Sequence, residues 1–288
     1  MIEVKNLGYR YPGDEQNTLR ALNFEIQQSE IFGFLGPSGS GKSTTQKLLI
    51  GLLQNYTGSV RVLGREVSDW GQDYYRHIGV GFELPNHFSK LTGLENLELF
   101  QSFHGGNSME GRSVHELLAL TGLTESASKP VSQYSKGMKM RLNFARALLD
   151  NPDILFLDEP TAGLDPATAR QLKDTILDLR SEGKTVFLTT HNMHDANELC
   201  DRVAFIVEGA LNLIGEPAAL RQKQDQQKVA VRVRQEDKAV TEHQFAMENL
   251  YQNQAFQKLL AHSNIESIHT QEASLEEVFI AATGTCLQ

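Results

Sequence analysis

Cysteine is scarce in this sequence: Cys200 and Cys286 are the only two among 288 residues, far apart and without a partner motif. That excludes a disulfide-stapled secreted scaffold and fits two plain thiols in a reducing compartment. No apolar run approaches the roughly 18 residues that a membrane helix needs, so work at a membrane would require docking on another chain. The opening MIEVKNLGYRYP carries charge and turn residues where a secretory leader has an apolar stretch, and no leader is expected. Basic charge is short as well: 27 Lys and Arg against 36 Asp and Glu leave a net charge of -9. Nucleic-acid binders gain most of their affinity by neutralising phosphates, so no nucleic-acid partner is expected. Internal repeats and low-complexity tracts are also missing.

Hydrophobic residues at 40% and charged residues at 22% are the proportions of an ordinary folded domain. Short apolar runs alternate with amphipathic stretches, which predicts an α/β fold. Strands are expected at Ile2–Lys5, Asn23–Ile26, Ile31–Leu35, Ser59–Leu63, Ile154–Leu157, Thr185–Thr189 and Val203–Val207. Unbroken runs such as ILFL and VFLTT suit strands buried on both faces of a parallel sheet. EVKNL and NFEIQ alternate, as in an antiparallel edge sheet. Helices are expected at Ser43–Leu53, Gly137–Leu149 and Pro166–Ser181. The polar run QKQDQQK at 222–228 reads as a boundary between a domain at 1–222 and a small one at 223–288. In the latter, KVAVRVR alternates like a strand, and Gln254–His262 and SLEEVFIAA look helical.

The expected strand Ile31–Leu35 runs directly into Gly36-Pro37-Ser38-Gly39-Ser40-Gly41-Lys42-Ser43-Thr44, followed by the helical pattern TQKLLIGLL. This is GxxxxGK[ST] in its required strand–loop–helix setting. Glycines let successive N–H groups turn inward on phosphate oxygens, and the helix N-terminus adds partial positive charge. Lys42 would reach the β- and γ-phosphates, and Ser43 would give its hydroxyl to Mg²⁺. Downstream, ILFL ends in Asp158 and Glu159. Carboxylates at the C-terminal end of a strand lie where α/β sheets bind ligands. Asp158 is suited to hold Mg²⁺ through water, and Glu159 to orient or deprotonate an attacking water. The plainer reading of the pair is a helix cap before Pro160.

Together these motifs resemble the nucleotide-binding domain of the ABC (ATP-binding cassette) ATPases, over Met1 to about Gly215. Tyr134-Ser135-Lys136-Gly137-Met138 stands where that family has its signature loop, LSGGQ, and LDEPTAGLDP contains a D-loop, Ala162-Gly163-Leu164-Asp165. His191, after TVFLTT, matches the switch histidine, and Tyr11 in YRYPG matches the aromatic that stacks on adenine. Glu83, in IGVGFE, takes the place of the Q-loop glutamine, and Lys136 that of a signature glycine. The resemblance implies a P-loop NTPase cassette: a mixed parallel sheet core, an antiparallel edge sheet, a helical signature subdomain and a small C-terminal α/β appendage.

It also implies chemistry. ATP and Mg²⁺ would be bound by the loop from Gly36 to Thr44, with Tyr11 on the base, and Ser43, Glu83 and Asp158 toward the metal. Lys42, Glu159 and His191 would be catalytic. A second cassette, a copy or a paralogue, would bring its Ser135 and Gly137 to the γ-phosphate, and Asp165 of the D-loop is counted among the nucleotide-binding residues. Lys139 and Arg141 are expected to face solvent. His191 and His194 could suggest a metal pair, but no third ligand is evident in the sequence. A single cassette without heptads or a cysteine cluster suits the transport class. FELPNH, YSKGM and the closing SLEEVFIAATG look like the ATPase subunits of ABC-2-type exporters. The implied protein is a cytoplasmic ATPase, peripheral to the inner face of the membrane and docked on a separately encoded integral membrane permease. The alternative is an ABC ATPase acting on nucleic acid or the ribosome.

Overall fold

A computed structural model describes residues 1–103, 111–222, 228–234, 240–271 and 273–285. Met1–Ile214 form one compact unit and a second begins at Gly215. In chain order the strands are β1 (Ile2–Tyr9), β2 (Leu19–Ile26), β3 (Ile31–Leu35), β4 (Thr57–Val62), β5 (Arg65–Glu66), β6 (Ile78–Gly81), β7 (Ile154–Asp158), β8 (Thr185–Thr190), β9 (Arg202–Val207), β10 (Ala210–Gly215), β11 (Lys228–Arg234), β12 (Val240–Ala246) and β13 (Asn264–Gln271). The helices are α1 (Lys42–Leu49), α2 (Tyr74–His77), α3 (Gly93–Phe103), α4 (Val114–Leu120), α5 (Lys136–Ala147), α6 (Pro166–Ser181), α7 (Met193–Leu199), α8 (Pro217–Gln222), α9 (Gln254–His262) and α10 (Leu275–Thr283).

The central sheet has the order β10-β9-β3-β8-β7-β6, and its pairs from β9 to β6 are parallel. Every residue of β3, β7 and β8 is buried, as expected of unbroken apolar runs covered on both faces. A second sheet, β2-β1-β4-β5, is antiparallel. Its alternating inward residues, among them Ile2, Val4, Leu22 and Phe24, share one core with β3, β7 and β8. Phe24 stacks on Phe32 and tilts against Phe34, and Phe187 lies between Phe34 and Phe156. Each such ring contributes roughly 1.5–3 kcal/mol by leaving water, so this aromatic ladder ties the two sheets together.

The second unit contains the sheet β12-β11-β13, antiparallel throughout. Val229, Val231 and Val233 line one face of β11 and pack with Phe245, Phe256 and Leu259. The polar run read as a boundary falls mostly outside the described residues, which resume at 228. Cys286 is outside them too.

Two differences from the sequence reading have identifiable causes, the first local and the second at a distance. The helix expected to reach Leu53 stops at Leu49, because Gly51 turns into the left-handed region at φ +75°. The Gly51 N–H then bonds Leu48 O and the Leu52 N–H bonds Lys47 O, closing the end of the helix. Strand β6 was not expected at all. It holds two glycines, and a β-carbon on Gly79 would fall 2.0 Å from the Ala147 carbonyl oxygen, so the strand exists only by close approach to the end of α5.

Gly33, in the middle of β3, makes a testable case. A β-carbon there would sit 2.7 Å from Cys200 Sγ and 2.8 Å from Leu35 Cδ1. We expect Gly33→Ala to cost about 1–3 kcal/mol through overpacking, and Cys200→Ala in the same chain to recover part of it. Denaturant unfolding followed by the fluorescence of Trp70, the sole tryptophan, reads both effects.

Candidate functional site

The end of β3 delivers the chain into a loop that only glycine permits. A β-carbon on Gly36 would lie 2.1 Å from the Ile206 carbonyl oxygen, and Gly41 has φ +109°. Helix α1 starts immediately, with no side chain capping its first N–H groups. The Lys42 ammonium curls back over the loop, donating to Gly36 O at 2.7 Å and Pro37 O at 2.9 Å. Burial pushes it down from the ordinary lysine range, and the carboxylates of Glu159, Asp158 and Glu83 push back. Ser40 Oγ is buried in the same loop without a partner. Tyr11 reaches the loop too: its hydroxyl lies 3.2 Å from Thr44 Oγ1, and its ring packs edge-on against Tyr9.

Strands β7 and β8 bring the carboxylates to this loop. Asp158 ends β7, accepts a hydrogen bond from the Thr189 hydroxyl, and lies 3.4 Å from the donating Ser43 Oγ. Burial raises its pKa above the usual aspartate range; the Thr189 hydroxyl opposes this, the neighbouring Glu159 adds to it, and Lys42 and Ser43 oppose it again. Glu159 follows in the left-handed region, at φ +48°. A non-glycine residue there costs about 1–3 kcal/mol and persists only where the surroundings hold it. Four bonds do so. Its N–H donates to Thr189 O at 3.0 Å. Its carboxylate accepts from Thr190 Oγ1 at 2.9 Å, from the His191 N–H at 2.9 Å and from His191 Nδ1 at 2.6 Å. The Glu159 side chain is buried while the imidazole is 58% exposed.

The donor set fits a magnesium nucleotide. An unpartnered buried hydroxyl, a lysine ammonium and a glycine loop suit an anion, and the adjoining carboxylate and Ser43 hydroxyl are hard oxygen ligands for a small dication. Glu83 is exposed, and its charge acts on Lys42.

The remaining expected residues form a separate cluster. Ser135 caps α5 by accepting from the Met138 N–H at 3.2 Å, and Asp165 caps α6 by accepting from the Thr168 N–H at 3.0 Å. Gly137 lies beside them, next to the Leu164 side chain. Among the described residues, no hydrogen bond joins Ser135, Gly137 or Asp165 to the phosphate loop.

Two surface readings need correction. Arg141 does not point to solvent: its guanidinium donates to Thr121 O at 3.1 Å and Gly122 O at 2.9 Å, capping the end of α4. Around His194, further potential ligands do exist in Asp195 and Glu198. The Lys173 ammonium, however, is bonded to both of those carboxylates and the Arg170 guanidinium to Glu198, so both are already engaged by cations.

A family model described as "ABC transporter" matches residues 19–162. The "Fluoroquinolones export ATP-binding protein" of Mycobacterium tuberculosis (strain CDC 1551 / Oshkosh) is 48% identical over 99% of this chain and 93% of its own. The chain belongs to the ABC transporter ATP-binding family. "Nod factor export ATP-binding protein I" of Burkholderia orbicola is 38% identical over 76% of this chain and 72% of that protein. A solved dimeric bacterial ABC transporter cassette superposes with a TM-score of 0.68 at 31% identity, covering 75% of this chain and 98% of that one. Residues 227–272 match a model described as "Fluoroquinolone efflux ABC transporter C-terminal domain". Among the described residues, no helix of the cassette protein is long and apolar enough to cross a membrane.

One part of the cassette was not visible in the sequence. Side chains of α5 lace the segment after β6: Asn143 donates to Phe82 O at 2.8 Å and Arg146 to Asn86 O at 3.0 Å. His87 closes the lacing, with Nε2 3.0 Å from Lys139 O. Nothing local in FELPNH announces these partners, which lie over 50 residues away. Burial lowers the His87 pKa; the bond to Lys139 O opposes that, and the charges of Arg146 and Lys139 add to it. Its other nitrogen is buried without a partner, so a proton there would find no acceptor. The folded value therefore lies below the unfolded one, about 6.5. The neutral ring's contribution is complete above that pH and is lost as pH falls from it through the folded value. We expect the wild type to lose more thermal stability between about pH 7.5 and 5.5 than His87→Gln does.

Proposed function

We propose that this chain is the ATP-hydrolysing subunit of an exporter, working on MgATP and docked on a separately encoded integral membrane partner. The reading is carried by the convergence of Lys42, Ser43, Asp158, Glu159 and His191 at the ends of three neighbouring parallel strands and the loops after them. A bound Mg²⁺ would neutralise charge developing on the transferred phosphoryl group. Ser43 and Asp158 would hold it, with Glu83 as the third candidate ligand. The Lys42 ammonium would exchange the carbonyls of Gly36 and Pro37 for phosphate oxygens. Glu159, fixed by Thr190 and His191, would orient an attacking water and take its proton. His191, with its imidazole partly exposed and one nitrogen tied to Glu159, would meet the γ-phosphate, and Tyr11 would stack on the base.

A second cassette completes this account, because Ser135, Gly137 and Asp165 lie apart from the phosphate loop of their own chain. Facing a copy or a paralogue, they would close over the other chain's nucleotide. The membrane partner would meet the segment after Glu83. There Leu84 is 76% exposed, Phe88 48% and Phe103 65%. Phe100 bridges Phe88 and Phe103, and the Arg146 guanidinium sits 4.7 Å above its ring. An apolar aromatic patch tied to α5 suits an amphipathic partner helix. The names of the relatives make a fluoroquinolone the first cargo to try, and a subunit docked on a membrane partner to energise export would work at the cytoplasmic face of the membrane.

Glu159→Gln should lower steady-state ATPase by about 10²–10⁴ and accumulate an ATP-bound dimer in gel filtration; unchanged turnover would refute the role of Glu159. Leu84→Glu combined with Phe88→Glu should abolish co-purification of the polytopic partner from membranes while ATP affinity stays within about twofold. ATPase stimulated by DNA or ribosomes, with no membrane partner recovered, would overturn export in favour of the nucleic-acid reading.

A further inference from the structure

Lys136 and Gly163 lie 27 residues apart in sequence and touch in space. A β-carbon on Gly163 would fall 2.5 Å from Lys136 Nζ, 2.9 Å from its Cε and 3.2 Å from its Cδ. The lysine stem therefore lies along the 162–165 turn, over the face of residue 163 that carries no side chain. The contact is reciprocal. A β-carbon on Gly137 would sit 3.4 Å from Leu164 Cδ2, so the leucine of the turn rests against the glycine of the α5 start. The two loops thus touch at two places, the lysine stem over Gly163 and the Leu164 side chain in ordinary contact distance of Gly137.

The turn that Lys136 covers leads straight back to Glu159. The Ala162 N–H donates to Glu159 O at 3.0 Å and the Leu164 N–H to Thr161 O at 3.2 Å. Gly163 has φ +71° and Glu159 has φ +48°, so both ends of this short segment sit in the left-handed region. Glu159 holds that conformation against a cost of about 1–3 kcal/mol, and anything that fixes the turn helps to fix the carboxylate. Meanwhile Lys136 opens α5, where a cation opposes the helix dipole. No hydrogen bond to its ammonium is present among the described residues, so capping and ion pairing do not explain its position, whereas packing on Gly163 does.

We propose that Lys136 is a positioning residue for hydrolysis: by packing over Gly163 it locks the start of α5 to the turn that sets Glu159. The role as base rests on the function proposed above, but the contact itself belongs to the single chain. Through it, a movement at Ser135 and Lys136 reaches the carboxylate of the same chain without passing through the phosphate loop.

The test is a double-mutant cycle on the full chain with Lys136→Ala, Gly163→Ala and the pair. The left-handed strain of alanine at 163 is the same in both backgrounds and cancels, so the coupling reports the contact. An alanine at 163 must push the lysine stem aside, and Lys136→Ala removes that stem, so Gly163→Ala should be less harmful to the Trp70-monitored stability of Lys136→Ala than to that of the wild type. In steady-state ATPase, Lys136→Ala should lower kcat about tenfold while ATP affinity changes less than about twofold. Lys136→Met, which keeps the stem without the charge, should restore most of kcat. Additive stability effects would overturn the contact. Coupled stability with unchanged kcat, or a kcat that Met does not restore, would overturn the positioning role. A wild type that neither hydrolyses ATP nor dimerises with it would refute the exporter reading, and with it the catalytic part of this proposal, leaving the stability coupling to stand on its own.

Discussion

The site depends on the parallel alignment of β3, β8 and β7 as immediate neighbours in one sheet. Parallel strands all end at the same edge, so the residues just past each end meet in space though they lie far apart in sequence. Past β3 comes the glycine loop, β7 ends on Asp158 with Glu159 next, and β8 ends on Thr190 with His191 next. The bonds from Thr190 and His191 to Glu159 span about 31 residues and exist only because β7 and β8 are adjacent. The aromatic ladder of Phe24, Phe34, Phe187 and Phe156 holds that alignment from beneath. Core and chemistry are therefore one construction.

The same alignment places charges where they are expensive. Lys42 is pushed down and Asp158 up, each toward its neutral form, and burial is the first cause for both. Buried ion pairs seldom repay the desolvation of both partners. Here the lysine bonds loop carbonyls rather than either carboxylate, and Asp158 is held by the hydroxyls of Thr189 and Ser43. Such an arrangement is poorly optimised for a chain alone and well matched to a charged ligand bringing both signs, an anionic phosphate chain and a dication. The left-handed backbone at Glu159 belongs to the same pattern of local cost held by surrounding bonds.

What the sequence made legible was local. GPSGSGKST carries its meaning in consecutive residues, and ILFLDE and VFLTTH announce buried strands with polar ends. Pro166–Ser181 was bounded correctly because Asp165 and the proline mark its start. Illegible features were those fixed at a distance. Strand β6 requires the Ala147 carbonyl to pack against Gly79, Arg141 finds its acceptors just past the end of α4, and His87 finds its own on α5. The end of α1 was a different failure: LLIGLL continues the apolar pattern, and only the backbone at Gly51 shows that the helix has closed.

Glu83 and Lys136, which the resemblance sets in the places of a glutamine and a glycine, fall on exposed positions after β6 and at the start of α5 rather than on strands. A strand residue in the central sheet is packed on both faces, and a change of size or charge there disturbs the core. Exposed loop residues can be exchanged at little cost to folding, so adjustments to timing and coupling accumulate in them. Glu83 alters charge near Lys42 without entering the buried cluster. Lys136 adds a long stem over a glycine that already had to be glycine for its backbone angle. The sheet thus fixes which atoms meet, and, on the roles proposed above, the segment after β6 and the start of α5 tune how they act.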